Sequence, residues 1–216
     1  IKQTFYRIGN QSEVANALIE AAENGKNVIA LIELKARFDE AENMEWAHKM
    51  QAAGVKVFYS NARTKIHAKL AQVVRKEQGK LITYSHVGTG NYHSVTSRIY
   101  SDLSYFTANK KLSQELGKVF NYMKSLIKPE NVKNVTYAPI NLRTNLVNLI
   151  EKEIEFAKNK MPAEIWMKLN SLVDKKIIDL LCKASKNNVK INLIVRGICC
   201  LIPGIKDISE NIKVKS

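Results

Sequence analysis

Cysteine is scarce in this 216-residue chain: only Cys182, Cys199 and Cys200 occur. They are odd in number and clustered late, so they imply no disulfide framework, and no C-x-x-C pair is present to hold zinc. That usage points to a reducing, cytoplasmic compartment. No apolar run approaches the roughly 18 residues needed to span a bilayer, and no signal peptide is visible. Aromatic residues make up 7% and do not interleave with the basic ones, as a base-stacking surface would require. Acidic residues are also few, with 20 Asp and Glu against 34 Lys and Arg, a formal charge of +14. A field of that sign attracts polyanions such as nucleic acid, acidic membrane, nucleotides or phosphate chains, without choosing among them.

What is present reads as one or two soluble domains, because a 45% hydrophobic share is enough to bury a core. Ser12 is a candidate N-cap for a helix carrying Val14, Leu18, Ala21 and Ala22 and stopped by Gly25. Val28–Leu34 and Val55–Tyr59 are predicted strands on either side of a helix marked by Met44, Trp46, Ala47 and Met50. Ile66–Val74 and Leu81–Tyr84 are predicted strands joined at Glu77-Gln78-Gly79. Val87–Arg98 reads as a loop, Leu103–Thr107 as a strand and Leu112–Leu126 as an amphipathic helix. Lys128–Pro139 connects to a second set: helix Leu142–Lys158, strand Ile165–Leu169, helix Lys175–Ser185, strand Ile191–Val195 and the apparent strand Ile212–Val214. Alternating strands and helices argue for an α/β fold with a largely buried sheet. The domains are placed at 1–134 and 135–216.

An internal repeat accompanies this pattern. Leu18–Ala22 lies over Leu180–Ala184, and without a gap Ile29–Ile32 then lies over Ile191–Ile194, 162 residues on. Any two α/β units share some of this likeness; a duplicated domain is the sharper reading. The position corresponding to residue 67 would fall near 229. The start at Ile1 and the stop at Ser216 fit a piece of something longer.

Among four histidines, His48 reads as a solvated helix residue, while His86 and His93 flank the loop Gly88-Thr89-Gly90-Asn91. His67 differs. In Lys65-Ile66-His67-Ala68-Lys69 a strand would put residues 65, 67 and 69 on one face. Lysines around an imidazole repel its protonated form and lower its pKa, and a neutral ring nitrogen is a nucleophile. The same lysines would attract phosphate oxygens. A polar edge strand would show the same pattern. Gly88 and Gly90 would let a backbone approach a phosphate, or simply make a turn. No G-K-[ST] follows, so this is neither a Walker loop nor a dinucleotide fingerprint. Arg37 and Arg196 follow comparable strands, where α/β sheets gather ligands, and arginine offers a bidentate fork for phosphate.

Ile32–Glu40, Lys65–Lys69, His86–Tyr92, Arg98–Asp102, Lys168–Asp174 and Leu193–Cys200 together resemble polyphosphate kinases of the long bacterial type, in order and over essentially the whole chain. The resemblance implies a fragment of the C-terminal catalytic half. Its fold would be phospholipase-D-like, with a complete first lobe and a truncated second lobe related by duplication. His67 matches the autophosphorylated histidine, which takes the terminal phosphate of ATP, releases ADP and passes the phosphoryl group reversibly to polyphosphate. Arg7 and Arg37 match the Mg²⁺–phosphate site, where cationic arginines would hold phosphate oxygens that share the metal. Tyr100 and Arg196 match nucleotide-contacting positions; Lys69 and Asn91 are added from the residue argument as phosphate neighbours. ATP, ADP, polyphosphate and Mg²⁺ are the implied ligands. A homo-oligomer associated with the inner face of the membrane is implied for the longer protein, and no nucleic-acid partner is expected.

Val74 stands where the phospholipase D pattern H-x-K-x4-D has its Asp, which argues against phosphodiester hydrolysis by that route. The family's second histidine would lie beyond Ser216, so the fragment is expected to be inactive or nearly so. A phospholipase-D-type phosphodiesterase and a non-catalytic basic module binding nucleic acid or acidic membrane remain as alternatives.

Overall fold

The structure is a computed structural model that describes residues 1–36, 39–60 and 65–216. The chain divides into two compact units, Ile1–Val135 and Thr136–Ser216.

The first unit is built on a six-stranded mixed sheet. Strands β1 (Lys2–Phe5), β2 (Ile29–Ile32) and β3 (Lys56–Tyr59) run parallel, while β4 (Lys69–Glu77), β5 (Lys80–Gly88) and β6 (Ser104–Thr107) are antiparallel. The order across the sheet is β3-β2-β1-β4-β5-β6. Helices α1 (Glu13–Glu23) and α2 (Glu40–Ala52) cover one face, burying Phe5, Leu18, Ala30, Ile32, Trp46 and Met50. Ser12 caps α1 by accepting the Ala15 amide at 3.2 Å. Helix α4 (Lys110–Ser125) covers the other face, with Leu116 and Phe120 against Leu31, Ile66 and Leu70. A strand buried on both sides needs apolar residues at every position, which is why Ile29-Ala30-Leu31-Ile32 shows no alternation. The β4–β5 hairpin turns through Gln78 and Gly79 with φ of 48° and 79°. Two successive positive φ values are what a two-residue hairpin loop requires.

Two local expectations change. Strand β4 starts at Lys69, so His67 belongs to the segment that enters the strand and is not on its face. The stretch Val87–Arg98 is not all loop: β5 extends through Gly88, and Thr96–Ile99 forms the short helix α3. The His93 Nδ1 accepts the Val95 and Thr96 amides at 3.2 Å each, so this histidine organises the start of α3.

In the second unit, β7 (Glu164–Leu169), β8 (Lys190–Val195) and β9 (Ile212–Lys215) form a parallel sheet in that order. Helices α5 (Leu142–Lys158) and α6 (Lys175–Lys186) pack on Ile165, Ile191, Leu193, Val195 and Ile212. Asp174 caps α6 through the Ile177 amide at 3.1 Å.

The expected gapless register set Ile29–Ile32 over Ile191–Ile194, but the faces differ: Ile29 and Leu31 face α4, whereas Ile191 and Leu193 face α5 and α6. The residues of β2 and its approach that lie beneath α1 are Val28, Ala30 and Ile32. Among the described residues no helix is long and apolar enough to cross a membrane.

Candidate active site

The strand ends β1 and β2 and the segment entering β4 converge around His67. Tyr6 and Arg7 follow β1, Glu33 follows β2, and His67 precedes β4. Asn43, fully buried on α2, ties the first two together: its Nδ2 donates to the Tyr6 and Glu33 carbonyls at 2.9 Å each, and its Oδ1 accepts the Ile8 amide at 3.2 Å. The Glu33 carboxylate, also fully buried, ties in the third by accepting the Ile66 amide at 2.6 Å.

The His67 residue is exposed, but its ring is shielded by Tyr6, edge-on at 4.8 Å between centroids. Lys69 is buried, and its Nζ lies 3.2 Å from His67 Nδ1 and 3.3 Å from Nε2, while also donating to the His67 carbonyl. Arg7 pairs with Asp39 at 2.9 Å and stands over the Tyr6 ring, as the Lys69 ammonium does. Desolvation lowers the His67 pKa most; repulsion from Lys69, Arg7 and Lys65 adds to it, and Glu33 opposes it. The imidazole is therefore neutral near pH 7. Burial brings the Lys69 pKa down to about 8, with Arg7 acting in the same direction and Asp102 against it.

Asp102 links this cluster to a cavity of about 480 Å³ lined by His86, Asn91, Tyr92, Tyr100 and Asp102. His86 Nδ1 meets the Tyr92 hydroxyl at 2.7 Å. Burial holds the His86 pKa below its ordinary value and pushes that of Tyr92 up to about 12. Tyr100 and Asn91 thus share one cavity, and the Asn91 amide oxygen is buried without a hydrogen-bond partner. An orphan acceptor is satisfied by a ligand's donor group, while Nδ2 of the same amide is a donor suited to phosphate oxygens. The glycines of the neighbouring loop serve packing. A Cβ on Gly90 would stand 2.4 Å from the Asp102 carboxylate, and one on Gly88 would stand 3.3 Å from the His86 ring and from the Leu103 carbonyl. Thr89 Oγ1 donates to Asp102 at 2.8 Å and accepts the Leu103 amide at 3.0 Å.

Arg196 belongs to the second unit, where its Nε donates to Asn170 Oδ1 at 2.8 Å. Gly197 beside it allows close approach of the Asn170 carbonyl, 2.7 Å from where a Cβ would be. Arg37 lies outside the described residues. Among the described residues no three His, Cys, Asp or Glu side chains are grouped to hold a metal ion. The cations around His67 are Arg7, Lys65 and Lys69, a donor set for phosphate oxygens, and both oxygens of the carboxylate Glu33 accept hydrogen bonds from Lys35, Ser60 and Ile66, so the set does not fit direct ligation of Mg²⁺.

Residues 1–129 match the family described as polyphosphate kinase C-terminal domain 1, and residues 135–216 match polyphosphate kinase C-terminal domain 2. The chain belongs to the polyphosphate kinase family. The polyphosphate kinase of Erythrobacter litoralis is 50% identical over 216 residues, covering 100% of this chain and 30% of that protein. That of Pseudomonas aeruginosa is 47% identical, covering 100% of this chain and 31% of its own length. The crystal structure of the polyphosphate kinase from Porphyromonas gingivalis superposes with a TM-score of 0.86 at 37% identity, covering 99% of this chain and 35% of that one. The chain therefore spans about 30% of the length of the curated relatives it matches.

In this member of the polyphosphate kinase family, residue-by-residue reading overlooked Tyr6, Glu33, Asn43 and Asp102. Glu33 carried a signal, being a charged residue inside the apolar run Val28–Leu34. Asn43 carried none, because its role depends on three carbonyl and amide groups brought together only by folding.

Proposed function

We propose that this chain is part of the catalytic region of an ATP:polyphosphate phosphotransferase, with His67 as the nucleophile. The observation that carries the reading is the Lys69 ammonium standing against both nitrogens of the His67 ring; burial, and then repulsion from Lys69, Arg7 and Lys65, lowers the pKa of that ring and favours its neutral form. A ring nitrogen attacks the γ-phosphorus of ATP. The N–P bond forms as the bond to the β,γ-bridging oxygen breaks, and ADP leaves with that electron pair. The terminal oxygen of polyphosphate then attacks the same phosphorus, breaking the N–P bond and restoring the imidazole; the reverse sequence makes ATP. Lys69, Lys65, Arg7 and Arg37 neutralise the charge on the transferring group. Mg²⁺ would come with the nucleotide, held by its phosphate oxygens. Tyr100 and Asn91 would contact the nucleoside from the cavity; for Arg196 a nucleotide-contacting role rests on the family resemblance alone.

We further infer a phospholipase-D-like architecture with duplicated lobes. Parallel strands in the order β1-β2-β3 and β7-β8-β9 support it, as do the capped helices α1 and α6 in matching places. These 216 residues alone are expected to turn over little, because they span 30% of their relatives. A rate equal to the full-length protein's would contradict that.

Incubating the full-length protein with γ-labelled ATP and Mg²⁺ tests the reading. An acid-labile, base-stable protein label that is lost in His67→Ala supports it. Phosphodiester cleavage without ATP would favour a phospholipase-D-type hydrolase, although Val74, at the Asp position, lies 53% exposed on β4 opposite Thr83. Absence of label together with salt-sensitive DNA binding would favour a basic binding module.

A further inference from the structure

We propose that Glu33 is a positioning residue for the nucleophile: its buried carboxylate holds the Ile66 amide and so fixes where the next residue, His67, presents its ring. The inference rests on the reading of His67 as nucleophile. Glu33 is fully buried, and a buried carboxylate is retained only where hydrogen bonds compensate its lost hydration. Oε2 accepts the Ile66 amide at 2.6 Å; Oε1 accepts the Lys35 amide at 2.8 Å and the Ser60 hydroxyl at 2.9 Å. The carboxylate thus joins the exit of β2, the end of β3 and the entry to β4. Ile66 is held a second way, since its side chain is buried against Leu31, Leu70 and Phe120. His67 is exposed and meets the Tyr6 ring and the Lys69 ammonium, while its backbone is held at Ile66 on one side and at the Ala68 carbonyl, by Thr4, on the other. Glu33 therefore sets the position on the Ile66 side.

A carboxylate suits this place in a way its neutral isostere does not. Glutamine would turn one of the two oxygens into an NH₂ group. Placed at Oε2, that donor would face the Ile66 N–H; placed at Oε1, it would face the Lys35 N–H. Aspartate keeps the charge but is one methylene short. The two variants therefore separate charge from reach.

The experiment measures labelling of full-length protein by γ-labelled ATP between pH 5 and 8 for wild type, Glu33→Gln and Glu33→Asp. Both variants are expected to lose about 100-fold in plateau rate, the scale of a roughly 1 Å misplacement. In Glu33→Gln the acid limb also moves to lower pH, because the negative charge that opposes depression of the His67 pKa is gone. In Glu33→Asp the limb stays near that of wild type. A wild-type plateau rate in Glu33→Gln, or an acid limb that does not move there, overturns the proposal. Should Glu33→Gln not fold, Ser60→Ala removes one donor to Oε1 and is expected to slow labelling several-fold with KM for ATP unchanged; an unchanged rate overturns the proposal. Hydrogen exchange at the Ile66 amide gives a readout independent of chemistry, with slow exchange in wild type and faster exchange in Glu33→Asp. An unprotected amide in wild type overturns the hold itself. No label in wild type with a protected amide would sink the His67 reading alone.

Discussion

Lys69 is 6% exposed, yet its ammonium nitrogen stands 3.2 Å from Nδ1 and 3.3 Å from Nε2 of His67. A buried cation beside an imidazole keeps that imidazole unprotonated, and it offers its N–H groups to whatever anion approaches the ring. Lys69→Met should therefore raise the His67 pKa, by removing the strongest repelling charge, and slow phosphoryl transfer by about 10²–10³-fold, the usual cost of losing one donor to developing charge. A pH titration of labelling combined with single-turnover rates checks both effects.

The pH dependence of labelling follows from the same geometry. Desolvation and three neighbouring cations put the folded-state pKa of His67 below 6.5. The attacking form is the neutral ring and its partner is the Lys69 ammonium, whose pKa is about 8, so rate should rise as pH falls from 8 and Lys69 gains its proton, then level, and fall again only as pH passes below the depressed His67 value. An acid limb centred above 6.5 in the initial rate would contradict the depression.

Gly90→Ala should disturb the cavity through Asp102. The added methyl would stand 2.4 Å from a carboxylate oxygen, so Asp102 must shift and the 2.8 Å bond from Thr89 is strained. Overpacking of this kind costs about 1–3 kcal/mol. A lowered denaturation midpoint together with a raised KM for ATP is expected. Gly54→Ala is a useful contrast: no heavy atom lies within 4 Å of the added carbon, but φ is +88°, so strain falls on the backbone and the KM should not change.

The floor beneath the His67 segment is apolar. Phe120 is fully buried against Leu31, Ile66 and Leu70. Phe120→Ala should destabilise the first unit by about 3–5 kcal/mol, read from chemical denaturation.

In the second unit, the guanidinium of Arg143 grips Asp174 at 2.6 and 3.0 Å, and with the Ile177 amide it holds the Asp174 pKa down to about 2. Arg143→Ala should move that value up toward 3.8, as followed by NMR. The sign is that of a depressed carboxylate: whatever stability it lends is present above the unfolded value and is lost as pH falls toward 2.

Much of the fold could be read from periodicity and punctuation, and the departures have physical causes. Strand β1 escaped notice because Gln3 and Thr4 are polar yet buried: Thr4 Oγ1 donates to the Ala68 carbonyl and accepts the Leu70 amide. The start of β4 was placed too early because the Ile66 amide goes to Glu33, and the ladder begins only afterwards. The expected register did not match the packed faces of β2 and β8 because β2 is apolar on both faces, so hydrophobicity does not say which side meets the helix. At the site, the cluster of Lys65, His67 and Lys69 is legible as a local pattern, and Lys69 does reach the ring. Tyr6, Asn43 and Asp102 come from distant parts of the chain, and no local spacing marks them.

The most direct measurement is to locate the phosphoryl group itself. Full-length protein is treated with ATP and Mg²⁺, kept at alkaline pH, digested and sequenced by tandem mass spectrometry. The expected result is one phosphoryl group on the His67 ring, removed by adding ADP with formation of ATP. A phosphoryl group found only on another residue, or polyphosphate synthesis that persists in His67→Ala, would contradict the account.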